Sequence, residues 1–197
     1  MEEKEKAIRR ILKQILRLPD SPLVTFRKQT GGQPVVGEGS LNAKILFVGE
    51  APGENEAKTG KPFCGRSGKV LDTLLESANL KREKVYITSI VKDRPPKNRD
   101  PKPEEIETYA KFLDKQIEII KPKVIATLGK FGMEYIMRRY GLEEEIRPIS
   151  HIHGNVFKTK IDGQSVKVVA LYHPASMLYS PKLKEALMED FQILKKI

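Results

Sequence analysis

The sequence predicts an α/β protein, a three-layer α/β/α sandwich with a central four-stranded, mostly parallel sheet. Four short apolar runs have the composition of strands that are buried on both faces, and they lie at 44–48, 84–91, 123–128 and 166–172. Amphipathic helical patterns separate the runs, and such alternation is typical of crossover connections between parallel strands. The carboxyl ends of the four strands are therefore expected at one edge of the sheet, where open α/β sheets bind their ligands.

The length of 197 residues suits one domain, so residues 1–197 are predicted to fold together. Residues 3–17 carry an apolar helical stripe, whereas 18–43 lack a clear period. We therefore expect residues 1–40 to form an N-terminal helix and an irregular segment that wraps the domain. A polar loop is predicted over 54–66. Further helices are predicted at 67–78, 103–120, about 130–140 and about 181–195.

The composition indicates a polyanionic partner. Lysine and arginine together number 36 against 26 acidic residues, and the net charge of +10 makes nucleic acid the first choice. A thermophile-like surface explains the density of charge but not the excess of one sign. The single cysteine, Cys64, excludes an intramolecular disulfide and a multi-cysteine metal centre. No apolar run approaches the roughly 20 residues of a membrane span, so we expect a cytoplasmic, nucleoid-associated protein without a membrane partner.

The candidate site consists of polar residues at the carboxyl ends of the four strands. Glu50, Ser89, Lys130 and His173 each follow or end a different strand. Glu50 lies in a turn with two glycines and a proline, although an ordinary turn with a solvated glutamate explains that stretch equally well. An acid and a histidine that face each other across such a crevice suit general-base and electrostatic catalysis. This arrangement favours an enzyme without naming its substrate.

Three other features have two interpretations each. Phe63 lies on a loop beside the site, where core packing is the better interpretation and stacking on a planar ligand is the alternative. The basic, proline-rich stretch 92–102 either follows phosphates or is a solvated loop. His151 and His153 have no flanking acid or cysteine, so surface or capping roles are favoured over a metal pair, and no metal site is predicted.

Five segments, in order along the chain, resemble the family 4 uracil-DNA glycosylases. They are Gly49-Glu50-Ala51-Pro52-Gly53, then 60–68 (Gly-Lys-Pro-Phe-Cys-Gly-Arg-Ser-Gly), 85–89 (Val-Tyr-Ile-Thr-Ser), 123–129 (Lys-Val-Ile-Ala-Thr-Leu-Gly) and His173-Pro174-Ala175. The resemblance covers the chain from about Gly37 to the C-terminus. The order and spacing of five motifs make it more specific than any single motif.

The resemblance implies a monomeric enzyme that flips a deaminated base, above all uracil, out of DNA and hydrolyses its N-glycosidic bond. Glu50 would position the attacking water and favour the cationic sugar, and His173 would donate a hydrogen bond to the uracil oxygen. Phe63 would stack on the flipped ring, which reverses the interpretation drawn from that residue alone. The base pocket would also include Gly49, Ala51 and Ser89. The expected DNA contacts are Arg66, Ser67, Lys92, Arg94, Lys130, Ser176 and Met177, of which the last two would reach into the duplex.

Two departures from the family pattern stand out, and the first concerns a cofactor. Members of the family usually carry four cysteines that bind a [4Fe–4S] cluster, and the aligned residues here are Leu18, Ser21, Asp93 and Tyr109. None of these replaces a thiolate in an ordinary cluster. We therefore expect no cofactor, with packing or salt bridges holding this region instead.

The second departure is Ser89, where the family has an asparagine that reads the edge of uracil. Serine offers one rotating hydroxyl in place of a donor and an acceptor at fixed geometry. Uracil, with a water filling the gap, and a different deaminated base such as hypoxanthine or xanthine therefore both remain open. Two further alternatives are a damaged-DNA-binding protein with weak catalysis and a hydrolase of free nucleotides. The charge of +10 speaks weakly against the hydrolase.

Overall fold

The computed structural model describes residues 1–180 and 182–196 and has alternating helices and strands. The strands are β1 (Glu38–Gly39), β2 (Ile45–Gly49), β3 (Tyr86–Ser89), β4 (Val124–Leu128), β5 (Val156–Ile161) and β6 (Gln164–Leu171). The helices are α1 (Glu2–Leu16), α2 (Pro22–Thr30), α3 (Glu54–Thr59), α4 (Arg66–Ser77), α5 (Pro103–Ile120), α6 (Lys130–Arg139), α7 (Ile149–Ile152), α8 (Ser176–Tyr179) and α9 (Leu183–Lys196). The start predicted for the last helix, Pro181, lies outside the described residues.

The four predicted strands form the centre of one sheet, with the order β1-β3-β2-β4-β6-β5. Strands β3, β2, β4 and β6 run in parallel, which confirms the predicted fold class. The two edge strands, β1 and β5, are antiparallel additions that the sequence analysis did not include. Because all four central strands point the same way, their carboxyl ends meet at one edge of the sheet.

Side chains alternate between the two faces of the sheet, and each face has its own core. From β2, Phe47 packs with α4 and α9, whereas Leu46 packs with α5 and α6 on the other face. This burial on both faces is the reason why the parallel strands are continuous apolar runs rather than alternating ones. A third cluster joins α1 and α2 to α5, so the N-terminal helices are docked on the domain.

Two segments predicted as irregular or as a loop contain regular structure, and so does a third stretch with no predicted element. In 18–43, α2 begins with the Ser21 hydroxyl accepting the Val24 N–H at 3.4 Å and ends at Gly31, whose φ is 65°. In 54–66, the short helix α3 follows Gly53. In the third stretch, β5 pairs with β6 through the two-residue turn Asp162–Gly163, in which both residues have positive φ. Capping residues and the Asp-Gly turn were visible in the sequence, but these elements are short or polar and give no strong apolar period.

From the sequence, no segment was expected to span a membrane. Among residues 1–180 and 182–196, no helix combines the length and apolar composition that crossing a membrane requires.

Candidate active site

A cavity of about 310 Å³ opens at the carboxyl ends of the central strands. Of the residues that the sequence analysis placed at these strand ends, Glu50, Ser89 and His173 line it, together with Phe63 and Ala51. Other lining residues come from the segments that follow β2, β3 and β6. They are Pro52, Gly53, Glu56, Pro62, Ser67, Pro95, Asn98, Arg99 and Ala175, with Val35 from the N-terminal segment.

The register of β2 and β3 sets the acid and the serine side by side. Gly49 is the direct partner of Ser89, so Glu50 is the first residue beyond the paired position. A Cβ on Gly49 would lie 2.9 Å from the Phe63 ring and 3.4 Å from the Ser89 hydroxyl oxygen. The absent side chain therefore lets the aromatic ring lie against the strand end, next to Ser89.

Phe63 lies between the sheet and His173. Its ring centroid is 5.6 Å from that of His173, with a tilt of 32° between the two planes. The residue is 6% exposed and has a φ of 46°, which an aromatic residue rarely adopts. A flat, apolar ring thus faces the cavity from a backbone conformation that its surroundings must hold.

Two charged residues bond the main chain of the Phe63 loop, and neither was predicted from the sequence. One carboxylate oxygen of Glu56 accepts the N–H groups of Cys64 and Gly65, each at 2.9 Å. Arg82 donates to the carbonyl oxygens of Pro62 at 2.7 Å and Phe63 at 3.3 Å. Neither residue has a motif of its own, because each acts on main-chain groups that only the fold brings near.

His173 is a neutral hydrogen-bond donor toward the cavity. Its Nδ1 lies 3.1 Å from the Ala175 N–H and accepts that hydrogen bond, so the neutral ring carries its proton on Nε2. Burial lowers the pKa of His173 from 6.5 to about 4, which keeps the ring uncharged at neutral pH. Gly129, with a φ of 88°, allows this approach, because a Cβ there would lie 3.0 Å from the His173 Cβ.

Burial also shifts the pKa of Glu50, but in the opposite direction, upward. Burial, and next the negative charge of Asp100, raise the pKa of Glu50 from 4.5 to about 7. A carboxyl group with a pKa near neutrality is able to exchange a proton under physiological conditions, which is the property required of a general base. The cavity therefore combines a carboxyl group that titrates near neutral pH, a neutral hydrogen-bond donor and an aromatic face.

The predicted DNA contacts divide into exposed and buried residues. Arg66 and Lys130 are exposed at the first positions of α4 and α6. Ser67 is half-buried on the cavity wall, and Ser176 is half-buried at the start of α8. Lys130 lies near the same edge of the sheet but does not line the cavity.

Met177 and Tyr179, both on α8, differ in exposure. Met177 is half-buried and packs against the core cluster that contains Phe47 and Phe191. The large side chain exposed on α8 is Tyr179, at 85%. An aromatic residue two positions further along the chain is therefore better exposed to meet a duplex than Met177.

The prediction that Lys92 contacts phosphate is wrong, because its side chain is 0% exposed. Its amine donates to the Ser89 carbonyl at 2.6 Å, the Thr88 hydroxyl at 2.7 Å and the Gln116 side-chain carbonyl at 2.6 Å. Burial lowers the pKa of Lys92 well below its usual value. A residue in this position supports the strand end from behind and does not meet the solvent.

Two other basic side chains of this loop are paired with acidic residues. Arg94 contacts Glu54 at 3.3 Å, and its Nε donates to Asn98 at 2.7 Å. Arg99 forms a two-pronged pair with Glu105 at 2.6 and 2.8 Å. The contacts of these charged side chains therefore hold the loop against the rest of the protein.

The residues at the aligned cluster positions do not fit an iron–sulfur cluster. Asp93 and Tyr109 are buried and hydrogen-bonded to each other at 2.6 Å, Ser21 caps α2, and Leu18 packs against an apolar cluster. Among the described residues, no group of three or more His, Cys, Asp or Glu could hold a metal ion. Cys64 is exposed and lies elsewhere.

The two histidines considered as a metal pair have different surroundings. His153 contacts the Asp190 carboxylate at 2.9 Å, and His151 is exposed.

The fold and the site define an α/β enzyme with an acid and a neutral histidine around one cavity. The family model of the uracil DNA glycosylase superfamily matches residues 36–193. A type-4 uracil-DNA glycosylase of Archaeoglobus fulgidus is 47% identical over 158 residues, covering 80% of this chain and 78% of that protein. A type-4 uracil-DNA glycosylase of Sulfurisphaera tokodaii is 40% identical over 192 residues, covering 97% and 84%.

More distant similarity extends to a type-5 uracil-DNA glycosylase of Thermus thermophilus, which is 33% identical over 134 residues and covers 60% of this chain and 61% of that protein. The chain belongs to the uracil DNA glycosylase superfamily. The predicted class is thereby confirmed: the chain is a DNA glycosylase of base excision repair, an enzyme that hydrolyses N-glycosidic bonds.

The pKa values predict a pH profile with one inflection. A general base acts in its ionised form, so if Glu50 has this role the single-turnover rate on a uracil-containing duplex is expected to rise with pH through about 7 and then level off. His173, with a pKa of about 4, stays neutral over this range and adds no inflection. Asp100→Asn removes a neighbouring negative charge and should move the profile to lower pH. Asp162→Asn, in the β5–β6 turn, should leave it in place, and a profile that is flat between about pH 6 and 8 would contradict this assignment.

Proposed function

We propose that this chain removes uracil from DNA, with Glu50 and His173 as its catalytic residues. The observation that carries the proposal is that a half-buried carboxylate with a raised pKa, a neutral histidine donor and an aromatic face surround one cavity. These are the groups needed for a reaction in which positive charge builds on the sugar and negative charge on the departing base. The names of the relatives, type-4 uracil-DNA glycosylases, support the choice of base.

The reaction follows from the charges of these groups. The flipped base stacks on Phe63, and the His173 Nε2–H donates to a base oxygen as the N-glycosidic bond breaks and its electron pair leaves with the base. The Glu50 carboxylate stabilises the cationic sugar and orients a water molecule. That water attacks the anomeric carbon, and Glu50 takes up its proton.

The duplex is held at the rim of the cavity in this proposal. Arg66 and Lys130 are exposed and contact phosphates. Ser67 lines the cavity and Ser176 directly follows the lining residue Ala175, so both are candidates to donate hydrogen bonds to the duplex. Tyr179 joins Met177 as a candidate for insertion into the base stack, because it is the more exposed of the two.

We also propose that the enzyme works without an iron–sulfur cluster, since the four aligned positions carry Leu18, Ser21, Asp93 and Tyr109. Protein purified without added metal is expected to be colourless and to contain less than about 0.1 iron per chain, because a cluster needs thiolate ligands from several cysteines. Elemental analysis and the visible absorption spectrum measure this. Stoichiometric iron would contradict the proposal.

Replacement of either catalytic residue tests the mechanism. Glu50→Gln and His173→Ala are each expected to lower the single-turnover rate on a uracil-containing duplex by roughly 10²–10³, because each removes one preorganised electrostatic group. Glu145→Gln and His151→Ala make the same changes at exposed positions and should retain the wild-type rate. Formation of abasic sites is the measurement, and full activity in either catalytic variant would show that its role is misassigned.

Ser89 is the candidate for choosing the base. It is 4% exposed, it lines the cavity, and its hydroxyl makes no hydrogen bond to another described residue. A free hydroxyl that faces the cavity is compatible with uracil and also with hypoxanthine or xanthine, which are the alternative substrates.

Ser89→Asn is expected to raise uracil excision relative to hypoxanthine excision by roughly two- to tenfold. The amide adds one matched hydrogen bond, worth about 0.5–1.5 kcal/mol, and its larger volume disfavours a purine. The ratio of the two rates, measured in parallel for both proteins, cancels any change in stability. An unchanged ratio with both rates measurable would remove Ser89 from the specificity site.

A further inference from the structure

A buried polar cluster occupies the region where the family resemblance implies cluster-binding cysteines. Arg27 on α2 donates to Asp93 Oδ2 at 2.6 Å, and the Tyr109 hydroxyl on α5 donates to the same oxygen at 2.6 Å. The three residues are 7%, 0% and 1% exposed. The other guanidinium nitrogen of Arg27 donates to the carbonyl of Ile15, near the end of α1, at 3.5 Å. We call Arg27, Asp93 and Tyr109 the buried triad.

The triad joins the segments that the four cysteine positions occupy. Asp93 and Tyr109 stand at two of those positions, and they are bonded directly to each other. The other two, Leu18 and Ser21, lie just before α2, and α2 supplies Arg27. The N-terminal helices, the loop after β3 and α5 are thus connected through one carboxylate oxygen.

Lys92, the residue before Asp93, links this cluster to the base pocket. Lys92 donates to the main-chain carbonyl of Ser89 and to the side chain of Gln116, each at 2.6 Å. Gln116 is seven residues, or about two turns, after Tyr109 and therefore lies on the same face of α5. The consecutive loop residues Lys92 and Asp93 therefore both bond to that face of α5. Lys92 also bonds the main chain at the strand end that bears the Ser89 hydroxyl.

We propose that the buried triad is a metal-free cross-link whose members act as positioning residues for the Ser89 side of the base pocket. The part of this proposal that concerns the pocket rests on the proposed function, whereas the part that concerns the cross-link stands on the contacts alone. Asp93 depends strongly on its two donors, because its other oxygen, Oδ1, is buried and has no partner among the described residues. Loss of one donor therefore leaves a buried carboxylate poorly satisfied.

The chain contains a matched control for the triad. Tyr135 donates to Asp114 Oδ1 at 2.8 Å, and Arg139 donates to Asp114 Oδ2 at 2.8 Å. A tyrosine and an arginine again donate to one aspartate, and here the aspartate itself lies on α5. This cluster is nearer the solvent, because the Arg139 side chain is 52% exposed. Water is able to replace a lost hydroxyl at Asp114 but not at Asp93.

The first measurement is thermal unfolding of Tyr109→Phe and Tyr135→Phe, which each remove one hydroxyl and keep the ring. Tyr109→Phe is expected to lower Tm by roughly 5 °C, and Tyr135→Phe by no more than about 2 °C. Arg27→Met should lower Tm more, by roughly 10 °C, and should speed tryptic cleavage after Arg17 as α1 and α2 loosen. Equal Tm values for the two phenylalanine variants would overturn the proposal, as would stoichiometric iron whose removal lowers the wild-type Tm.

The second measurement separates positioning from stability. At about 20 °C below the lower Tm, where both variants are folded, Tyr109→Phe is expected to raise KM for a uracil-containing duplex about threefold or more, while Tyr135→Phe leaves it unchanged. A lowered Tm with unchanged KM and kcat in Tyr109→Phe would overturn the positioning role. If the wild-type enzyme does not excise uracil, the proposed function fails, whereas the Tm and proteolysis results still decide whether the cross-link exists.

Discussion

Parallel pairing of β2 with β3 on one side and β4 on the other is the constraint on which the site depends. It sets Gly49 opposite Ser89, so that an acid, a hydroxyl and the space left by a missing side chain lie at neighbouring strand ends. The pairing continues past the strands, where the Ile90 and Val91 N–H groups donate to the carbonyls of Gly49 and Glu50, each at 3.0 Å. The main chain around the acid is therefore fixed by the sheet rather than by the loop.

Burial at this edge of the sheet determines the chemistry. Loss of water disfavours the charged form of every group, which raises the pKa of Glu50 and lowers that of His173. The same physical cause thus gives one group that titrates near neutrality and one that stays uncharged. A neutral histidine donates a hydrogen bond without requiring a proton from solvent, and this suits a base that leaves with its electron pair.

The positive charge of the chain is distributed differently from what its motifs suggest. In the basic loop, Lys92 is buried, and Arg94 and Arg99 are paired with Glu54 and Glu105. Arg99 lines the cavity, and because all three charges are engaged within the protein they add little attraction for phosphate. The exposed cations that remain around the opening, such as Arg66, lie on other elements, and so the excess of +10 is spread over the surface rather than concentrated at one loop.

The sequence by itself determined the four central strands, the amphipathic helices and the strand-end positions of Glu50, Ser89 and His173. Apolar runs and helical periods are local signals, and five motifs in order are enough to indicate the family. The roles of Glu56, Arg82, Lys92 and the buried triad were decided only by the tertiary structure. Each of these residues bonds groups that come within reach only in the folded chain, as Arg27 does for Asp93 across 66 positions. No local pattern records such a partner, because burial and pairing arise only when the helices pack against the sheet.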